Sequence, residues 1–198
     1  MSSMISRTRS TVQPRRCVAR LREKNIVDLD TNWRERAPVI RTAMAGDIPA
    51  ICDIYNFYVR NTIVTFEEAP VSTDEMHARV RMIGENFPWL VYEEENQILG
   101  YAYANKWKER SAYRYSAEST VYLHPEKTGK GIGTRLYSHL MGVLKEKSFH
   151  AVFGGIALPN EGSCALHEKL GFKKVAHLKE VGYKFDRWID VGYWQLLL

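Results

Sequence analysis

The chain has 198 residues, of which 45% are hydrophobic and 12% aromatic, a composition typical of a globular protein with one principal domain. Its three cysteines (Cys17, Cys52 and Cys164) are odd in number and far apart, which excludes a disulfide scaffold and a zinc ribbon. The longest apolar runs fall far short of the length that a membrane-spanning helix needs, so we also exclude a membrane protein.

The net charge of +5 comes entirely from the N-terminal end of the chain. Residues 1–38 contain nine Arg or Lys and four Asp or Glu, whereas residues 39–198 contain nineteen basic and nineteen acidic residues. The body therefore has no net field that would attract polyanions, and we expect no nucleic-acid partner for it.

Residues 1–38 form a basic leader, rich in Arg and Ser, that we expect to be disordered and exclude from the domain at 39–198. The leader has no apolar stretch of the length that a secretory signal requires. Translation from an upstream start codon, an Arg-rich transit peptide to an organelle and a nucleic-acid-binding arm are the alternative interpretations. We expect the protein to be cytoplasmic.

In the body, segments with helical periodicity alternate with segments typical of strands. Residues 39–42 are predicted to form a short strand, and Asp47 can cap the helix that follows. Ser72 and Glu75 have the spacing of a capping box at the start of a second helix, which Gly84 closes. The sequence predicts three further strands, at residues 89–93, 98–105 and 115–123.

The C-terminal half continues the alternation. An amphipathic helix is predicted from the spacing of Ile132, Leu136, Leu140 and Leu144. A strand at 151–158 and a short helix at 163–170, ended by a glycine, precede two final strands near 174–185 and 188–197. This order of elements predicts an α/β fold around a mostly central sheet.

A glycine-rich turn, Gly129-Lys-Gly-Ile-Gly133, lies between a predicted strand and the amphipathic helix. This arrangement points unpaired backbone N–H groups and the positive end of a helix dipole at one place, where a phosphate can bind. Side chains at the three glycines would block the approach of a pyrophosphate. Lys127, Lys130 and Arg135 add positive charge nearby.

Two better-known phosphate loops do not fit this turn. Thr134 stands where a P-loop has its lysine, and the glycines have the spacing GxGxG late in the chain rather than GxGxxG early in a βαβ unit. We therefore predict a pyrophosphate site of another kind, with a glycine-rich turn that binds no ligand as the alternative.

The same segment resembles the acetyl-CoA loop of the GNAT superfamily of N-acetyltransferases, whose pattern is (Gln/Arg)-x-x-Gly-x-(Gly/Ala). Gly131 and Gly133 are in register with this pattern, and Thr128 stands where Gln or Arg is usual. A second block, Asn160-Glu-Gly-Ser163 followed by residues 166–172, resembles the downstream motif of the same family. In that motif Asn and Ser contact the pantetheine arm.

The resemblance narrows to the phosphinothricin (methionine sulfoximine) N-acetyltransferase branch. It spans about residues 39–197 and rests on a series of motifs: Ile54-Tyr-Asn56, Thr65-Phe66-Glu67, Pro88-Trp-Leu-Val91, Tyr101-Ala-Tyr-Ala104, Trp107-Lys-x-Arg110, Glu118-Ser-Thr-Val-Tyr122, Gly182-Tyr-Lys184 and Asp190-Val-Gly192. It implies the GNAT fold, a mixed central sheet of about six or seven strands flanked by about four helices. It also implies acetyl-CoA as the co-substrate, held by Val121, Tyr122, Leu123, Gly129, Lys130, Gly131, Ile132, Gly133, Thr134, Asn160 and Ser163.

Acetyl transfer to an amine requires a group that takes a proton from the nucleophile. Glu118, late in the strand before the loop, is the candidate base, and the branch carries a catalytic Glu at this position; a surface carboxylate is the alternative. Many members of the superfamily have a Tyr at the position of His167, as a candidate acid for the departing thiolate. The phosphinothricin branch resembles this chain in having His there, so His167 is a candidate acid, with a structural histidine as the alternative. The other five histidines lack metal-ligand spacing, so we predict no metal.

Lys108 and Arg110 are the candidate partners of a substrate carboxylate. They are two residues apart at a predicted strand end and therefore on the same side, and a bidentate Arg suits a carboxylate; a solvated charged loop is the alternative. By the resemblance, Phe66, Tyr113 and Thr120 belong to the substrate pocket, and Val191 completes it from the other subunit of a homodimer.

The leading hypothesis is an N-acetyltransferase that moves the acetyl group of acetyl-CoA to the free amine of a small amino acid analogue. Acceptors of the phosphinothricin, methionine sulfoximine or methionine sulfone type are expected, with herbicide resistance as a consequence, through direct attack assisted by a general base. Acetylation of protein N-termini or lysines is one alternative, and a non-catalytic acyl-CoA-binding regulatory module is another. A carboxylate clamp formed by Lys108 and Arg110 argues against the protein acetyltransferase. The presence of both Glu118 and His167 beside the loop argues against the non-catalytic module.

Overall fold

The computed structural model of the chain describes residues 37–198. Of the predicted leader it includes only Ala37 and Pro38, which lie exposed before the first strand, so the prediction of disorder for residues 1–36 lies outside the described residues. Among the helices of residues 37–198, none combines the length and the apolar character that crossing a membrane requires.

A seven-stranded mixed sheet forms the centre of residues 37–198, as predicted. Its strands are β1 (Val39–Thr42), β2 (Trp89–Glu94), β3 (Gln97–Lys106), β4 (Ser116–Leu123), β5 (Ala151–Leu158), β6 (Lys173–Lys184) and β7 (Arg187–Leu197). They lie in the order β1-β2-β3-β4-β5-β7-β6. All neighbours pair antiparallel except β4 and β5, which are parallel.

The α-helices of the described residues cover both faces of this sheet: α1 (Ile48–Asn61), α2 (Thr73–Gly84), α3 (Ile132–Glu146) and α4 (Glu161–Lys169). On one face, Ile51 and Met76 from α1 and α2 bury the sheet residues Val91 and Tyr101. On the other face, α3 and α4 cover a second core that includes Val152 of β5. We call these the α1/α2 face and the α3/α4 face.

Helix caps explain where the structure agrees with the predicted boundaries and where it does not. The Ser72 side chain accepts from the backbone N–H of Glu75 at 3.1 Å, as the capping-box spacing predicts. The predicted cap at Asp47 is wrong, because its carboxylate instead pairs with Arg41 on β1 and accepts from the backbone of Met44. Helix α4 begins at Glu161, earlier than predicted, because Asn160 caps it.

The parallel strands β4 and β5 separate after a short paired stretch. Pairing covers only Ser116–Glu118 with Ala151–Phe153, although each strand is eight residues long. Beyond this point β4 stays paired with β3, and β5 stays paired with β7. The result is a V-shaped opening between residues 119–123 and 154–158, which we call the β4–β5 split.

Candidate active site

The two candidate catalytic side chains lie on opposite faces of the sheet at the start of the split. The side chains of consecutive strand residues point to opposite faces of the sheet. A Cβ atom added at Gly154 or at the next residue, Gly155, shows which candidate lies on which face. A Cβ at Gly155 would lie 3.3 Å from Glu118 Oε1, whereas a Cβ at Gly154 would clash with the ring of His167. A reacting centre that both side chains reach must therefore lie in the β4–β5 split.

Glu118 lies at a cavity of about 340 Å³ on the α1/α2 face. Besides Glu118, the lining residues are mostly apolar: Val64, Phe66, Gly155, Ala157, Leu178, Val181, Val191 and Tyr193. Glu118 is the one charged residue among them. Such a cavity suits a small molecule with a polar group at Glu118 and an apolar or neutral side chain against the walls.

The surroundings of Glu118 strengthen it as a base. Burial raises the pKa of its carboxyl, and the positive charge of Lys108 partly opposes this shift. No group in residues 37–198 forms a hydrogen bond with the carboxylate. Its oxygens are therefore available to an incoming amine, and a raised pKa moves Glu118 closer to the value that suits a general base at neutral pH.

Lys108 and Arg110 are not at a strand end. Strand β3 ends at Lys106, so the expectation that strand alternation puts both side chains on one side is wrong. Lys108 lies over the ring of Trp107, which stacks on Phe153 of β5, and its charge acts on Glu118.

Arg110 precedes a short 3₁₀ helix in the connection between β3 and β4, and Tyr113 is the last residue of that helix. Both are exposed, and neither lines the Glu118 cavity. Contacts of these two residues with a substrate stay a prediction.

The other predicted pocket residues lie close to Glu118. Phe66 lines the cavity, and Thr120 follows Glu118 by two positions on β4 and thus shares its face. Val191 was expected from a partner subunit. In the structure it lines the cavity of its own chain, because the pairing of β7 with β5 places it opposite Ala157 in the cavity wall.

His167 is buried on the α3/α4 face, where both of its ring nitrogens have partners. Its Nδ1 lies 2.8 Å from the carbonyl oxygen of Ser163, and Nε2 lies 3.0 Å from the hydroxyl of Tyr137. Because a carbonyl can only accept, Nδ1 carries the proton, and in the neutral ring Nε2 accepts from Tyr137. Burial lowers the pKa of His167, which favours this neutral form.

This arrangement favours a structural role for His167, since the neutral ring has no proton on Nε2 to give. The acid role stays a prediction. Because Tyr137 gives its proton to Nε2, the Ser119 hydroxyl of β4 donates to the Tyr137 oxygen at 2.6 Å. The Ser119 oxygen also lies 3.1 Å from the carbonyl oxygen of Phe153, so this chain of contacts ends at the start of the split. Sequence reasoning missed Tyr137 because it falls within the apolar stripe of the predicted helix and resembles an ordinary core residue.

The glycine-rich turn has the backbone that the phosphate hypothesis requires. Gly129 and Gly131 have φ of 74° and 79°, a left-handed conformation that favours glycine, and α3 begins at the next residue with no side-chain cap. The N–H groups of Ile132, Gly133 and Thr134 in its first turn have no partner within the helix. The turn can therefore hold an anion.

Gly133 has a packing reason to be glycine in addition to the one expected. It lies inside the first turn of α3, and a Cβ there would come within 3.3 Å of Leu123 and 3.4 Å of Leu166. Close packing between α3, β4 and α4 is therefore one reason for a glycine at this position, and the room that Gly133 leaves for a pyrophosphate stays a prediction.

The remaining predicted acetyl-CoA contacts adjoin the split and the turn. Val121, Tyr122 and Leu123 form the end of β4 along the split, with the Tyr122 side chain buried on the α1/α2 face. The side-chain oxygen of Asn160 accepts from the backbone N–H of Ser163 at 3.1 Å, which leaves the Asn160 amide nitrogen for a ligand. Lys130 is an exposed residue of the turn itself.

Several cavity residues were not predicted from the sequence. Val64 precedes the predicted Phe66 by two positions, and Leu178, Val181 and Tyr193 belong to β6 and β7. Val64 lies outside the helices and strands, and the other three are apolar or aromatic residues of predicted strands, so the sequence carries no signal that separates them from core residues. Within residues 37–198, no three His, Cys, Asp or Glu side chains are grouped as metal ligands would be.

Comparison with known families gives one match that covers most of the chain. Residues 40–192 match the family described as the acetyltransferase (GNAT) domain. This range contains every site residue predicted from the sequence.

Two curated relatives and one solved structure illustrate the similarity. The phosphinothricin N-acetyltransferase of Streptomyces viridochromogenes is 41% identical over 162 residues, which cover 81% of this chain and 88% of the relative. The L-methionine sulfoximine/L-methionine sulfone acetyltransferase of Salmonella typhimurium is 37% identical over 162 residues, 80% of this chain and 94% of the relative. The crystal structure of a phosphinothricin acetyltransferase from Sinorhizobium meliloti in complex with acetyl-CoA has a TM-score of 0.79 and 38% identity, covering 81% of this chain and 88% of that one.

Proposed function

Because the chain belongs to the GNAT acetyltransferase family, we propose that it transfers the acetyl group of acetyl-CoA to the free α-amine of a small amino acid. Amino acids with a neutral side chain of the phosphinothricin, methionine sulfoximine or methionine sulfone type are the proposed acceptors. The names of the relatives support this choice, since they act on these compounds.

The observation that carries the proposal is Glu118 in its apolar cavity beside the β4–β5 split. Glu118 takes a proton from the acceptor's ammonium group, and the amine nitrogen formed attacks the acetyl carbonyl in the split. Acetyl-CoA supplies the activated thioester: its C–S bond breaks as the C–N bond forms. The second proton that the nitrogen loses goes to the departing thiolate, which leaves as the thiol. The cavity walls hold the acceptor's side chain, and Lys108 attracts its carboxylate.

For acetyl-CoA, we propose that the turn at Gly129, Lys130 and Gly131 and the first turn of α3 bind the pyrophosphate through backbone N–H groups. Residues 121–123 and the Asn160 amide then contact the pantetheine arm where it enters the split. Thr128 stands where Gln or Arg is usual, and Lys127 or Lys130 supplies the missing contact to the pyrophosphate.

We also propose a homodimer and a cytoplasmic location. The dimer is supported by exposed apolar side chains on the β6–β7 hairpin, which are 42–61% exposed: Val175, Leu178, Val181, Tyr183, Phe185 and Trp188. The location is supported by the proposed co-substrate, which is made and used inside cells.

The test is thiol release from acetyl-CoA with a panel of acceptors. We expect turnover with phosphinothricin, methionine sulfoximine and methionine sulfone, and at least tenfold lower kcat/KM with a peptide that has a free N-terminus. A preference for the peptide would support the protein acetyltransferase instead. Binding of acetyl-CoA without release of thiol for any amine would support the regulatory module.

A further inference from the structure

A buried lysine connects the two walls of the Glu118 cavity. Lys184, the last residue of β6, is only 2% exposed. Its Nζ donates to the carbonyl oxygens of Val59 and Thr65, each at 2.8 Å. Within residues 37–198 no carboxylate forms an ion pair with it, so these two carbonyls and the ring of Phe185 surround the ammonium group.

An ammonium group in such a place needs its hydrogen bonds. Burial lowers the pKa of Lys184, and only the more distant charges of Glu68 and Glu67 oppose this. Removing a charged group from water is costly unless partners replace the water. The two carbonyls are therefore held firmly, because the lysine is stable in this position only while they accept from it.

The carbonyls belong to the segment that forms one wall of the cavity. This segment runs from the end of α1 to Phe66, and two of its side chains, Val64 and Phe66, line the cavity. Tyr55 of α1 holds Thr65 from the other side through a hydroxyl–hydroxyl hydrogen bond of 2.9 Å. Among the described residues, the two bonds of Lys184 are the hydrogen bonds that join this segment to the β6–β7 hairpin, which supplies the facing wall.

Apolar packing around Lys184 fixes the same segment. Gly182, two residues before Lys184 and on the same face of β6, receives the ring of Phe66, and any Cβ at Gly182 would clash with that ring. Ile63 packs with Ile189 and Ala157 in a small cluster below the cavity. The wall is thus positioned by the hydrogen bond from Lys184 to the Thr65 carbonyl and by the apolar contacts of Ile63 and Phe66.

We propose that Lys184 is a positioning residue that sets the width of the acceptor cavity. By holding Thr65 against β6, it keeps Val64 and Phe66 in the wall and so restricts the acceptor's side chain to one that fits between the connection and the hairpin. This inference rests on the proposed function, because it assigns the cavity to the acceptor's side chain.

The test begins with Lys184→Met, which keeps the length of the side chain and removes its donors. We expect the KM for methionine sulfone to rise about tenfold, because a wall displaced by a fraction of an ångström loses contact with the acceptor. The KM for acetyl-CoA should stay within twofold. Lys184→Gln, which keeps two N–H donors, should lie between the wild type and the Met variant. Lys173→Met, on an exposed part of the same strand, is the matched control and should change neither constant.

Hydrogen–deuterium exchange provides a readout that does not depend on activity. The amides of residues 62–66 should exchange about tenfold faster in Lys184→Met, with α3 unchanged. Unchanged exchange in this segment, or a parallel rise of both KM values, would overturn the proposal. If Lys184→Met does not fold, the Gln variant carries both measurements. If the wild type acetylates no amino acid, the proposed function fails, and the exchange data still decide whether Lys184 holds the wall.

Discussion

At the scale of single residues, a carboxylate in an apolar cavity makes the reaction rate depend on pH. The pKa of Glu118 is raised, so the carboxyl takes up a proton at a higher pH than an ordinary glutamate does. The base is lost when it is protonated. We therefore expect kcat/KM to fall as pH decreases through this raised pKa, with a midpoint above the usual value of about 4.3.

Replacing Glu118 with Gln removes the base and keeps the shape. We expect kcat to fall about 10²–10⁴-fold, and the acid limb of the pH profile to disappear. The variant should be at least as heat-stable as the wild type at pH 7, because burial opposes the charged form that it removes. Glu109→Gln, an exposed residue near Lys108, is the control. Activity within threefold of the wild type would mean that another group takes the proton.

The structural and the acid role of His167 can be distinguished by the pH dependence of stability and by reaction rates. Because its pKa is lowered in the fold, the unfolded chain binds more protons below about pH 6.5, and this part of the stability is lost as pH falls from there towards the folded pKa. His167→Gln should lose less Tm than the wild type between pH 7 and pH 5. The exposed His139→Gln should behave as the wild type does.

The structural role of His167 predicts a kcat within tenfold of the wild type for His167→Gln at pH 7. A loss of a hundredfold or more, with the fold intact, would support the acid role. Thermal unfolding and steady-state rates on the same preparations decide between the two.

At the scale of elements, the start of α3 combines a left-handed backbone position that favours glycine with the proposed phosphate site. Gly131 has a left-handed φ, so Gly131→Val would strain the backbone as well as occupy the space of a phosphate. Gly131→Asn is the sharper variant, because Asn tolerates this conformation better and still adds a side chain. We expect its acetyl-CoA affinity, measured by calorimetry, to fall at least tenfold with Tm nearly unchanged.

Gly142, in the middle of the same helix, is the matched control. A Cβ there meets no atom within 4 Å, so Gly142→Ala should stabilise the protein by about 0.5–1 kcal/mol and leave the affinity unchanged. If Gly131→Asn binds acetyl-CoA as tightly as the wild type, the turn is not the phosphate site.

The elements were largely predictable because their signals are local. Periodicity, the Ser72 cap and the turn glycines follow from neighbouring residues, and the helices and strands lie within a few residues of the predicted positions. Asp47 shows the limit. The Asp47 carboxylate pairs with Arg41 of β1 and does not cap α1. An ion pair between two elements has no periodic signal in the sequence that would predict it.

The candidate site depends more strongly on long-range pairing. The length of the β4–β5 pairing, which creates the split, is not encoded in either strand by itself. Lys108 and Arg110 were placed at a strand end, whereas β3 ends at Lys106. Val191 also reaches the cavity of its own chain through β7, and its contribution from a partner subunit stays a prediction. These facts follow from register and sheet order, which a single sequence does not contain.

At the scale of the whole molecule, the apolar surface of the β6–β7 hairpin predicts self-association. Trp188 is 61% exposed, and Tyr183 packs against it at 5.0 Å. We expect a dimer at micromolar concentration by light scattering and a monomer for Trp188→Lys. Met82→Lys, at an equally exposed apolar residue on α2, should leave the dimer intact. A wild-type monomer at that concentration would contradict the proposed assembly.

The central claim is that the acceptor is a free amino acid whose carboxylate is bound beside Glu118. It is tested most directly by competition in one tube between methionine sulfone and its carboxamide, with the two N-acetylated products measured by mass spectrometry. A charge-assisted hydrogen bond is worth about 1.5–3 kcal/mol, so the acid should be preferred about tenfold to a hundredfold in the wild type. The preference should approach unity in Lys108→Ala, whereas loss of the preference in Arg110→Ala alone would move the carboxylate contact to Arg110. Equal use of the two compounds by the wild type, or preference for the amide, would contradict the claim.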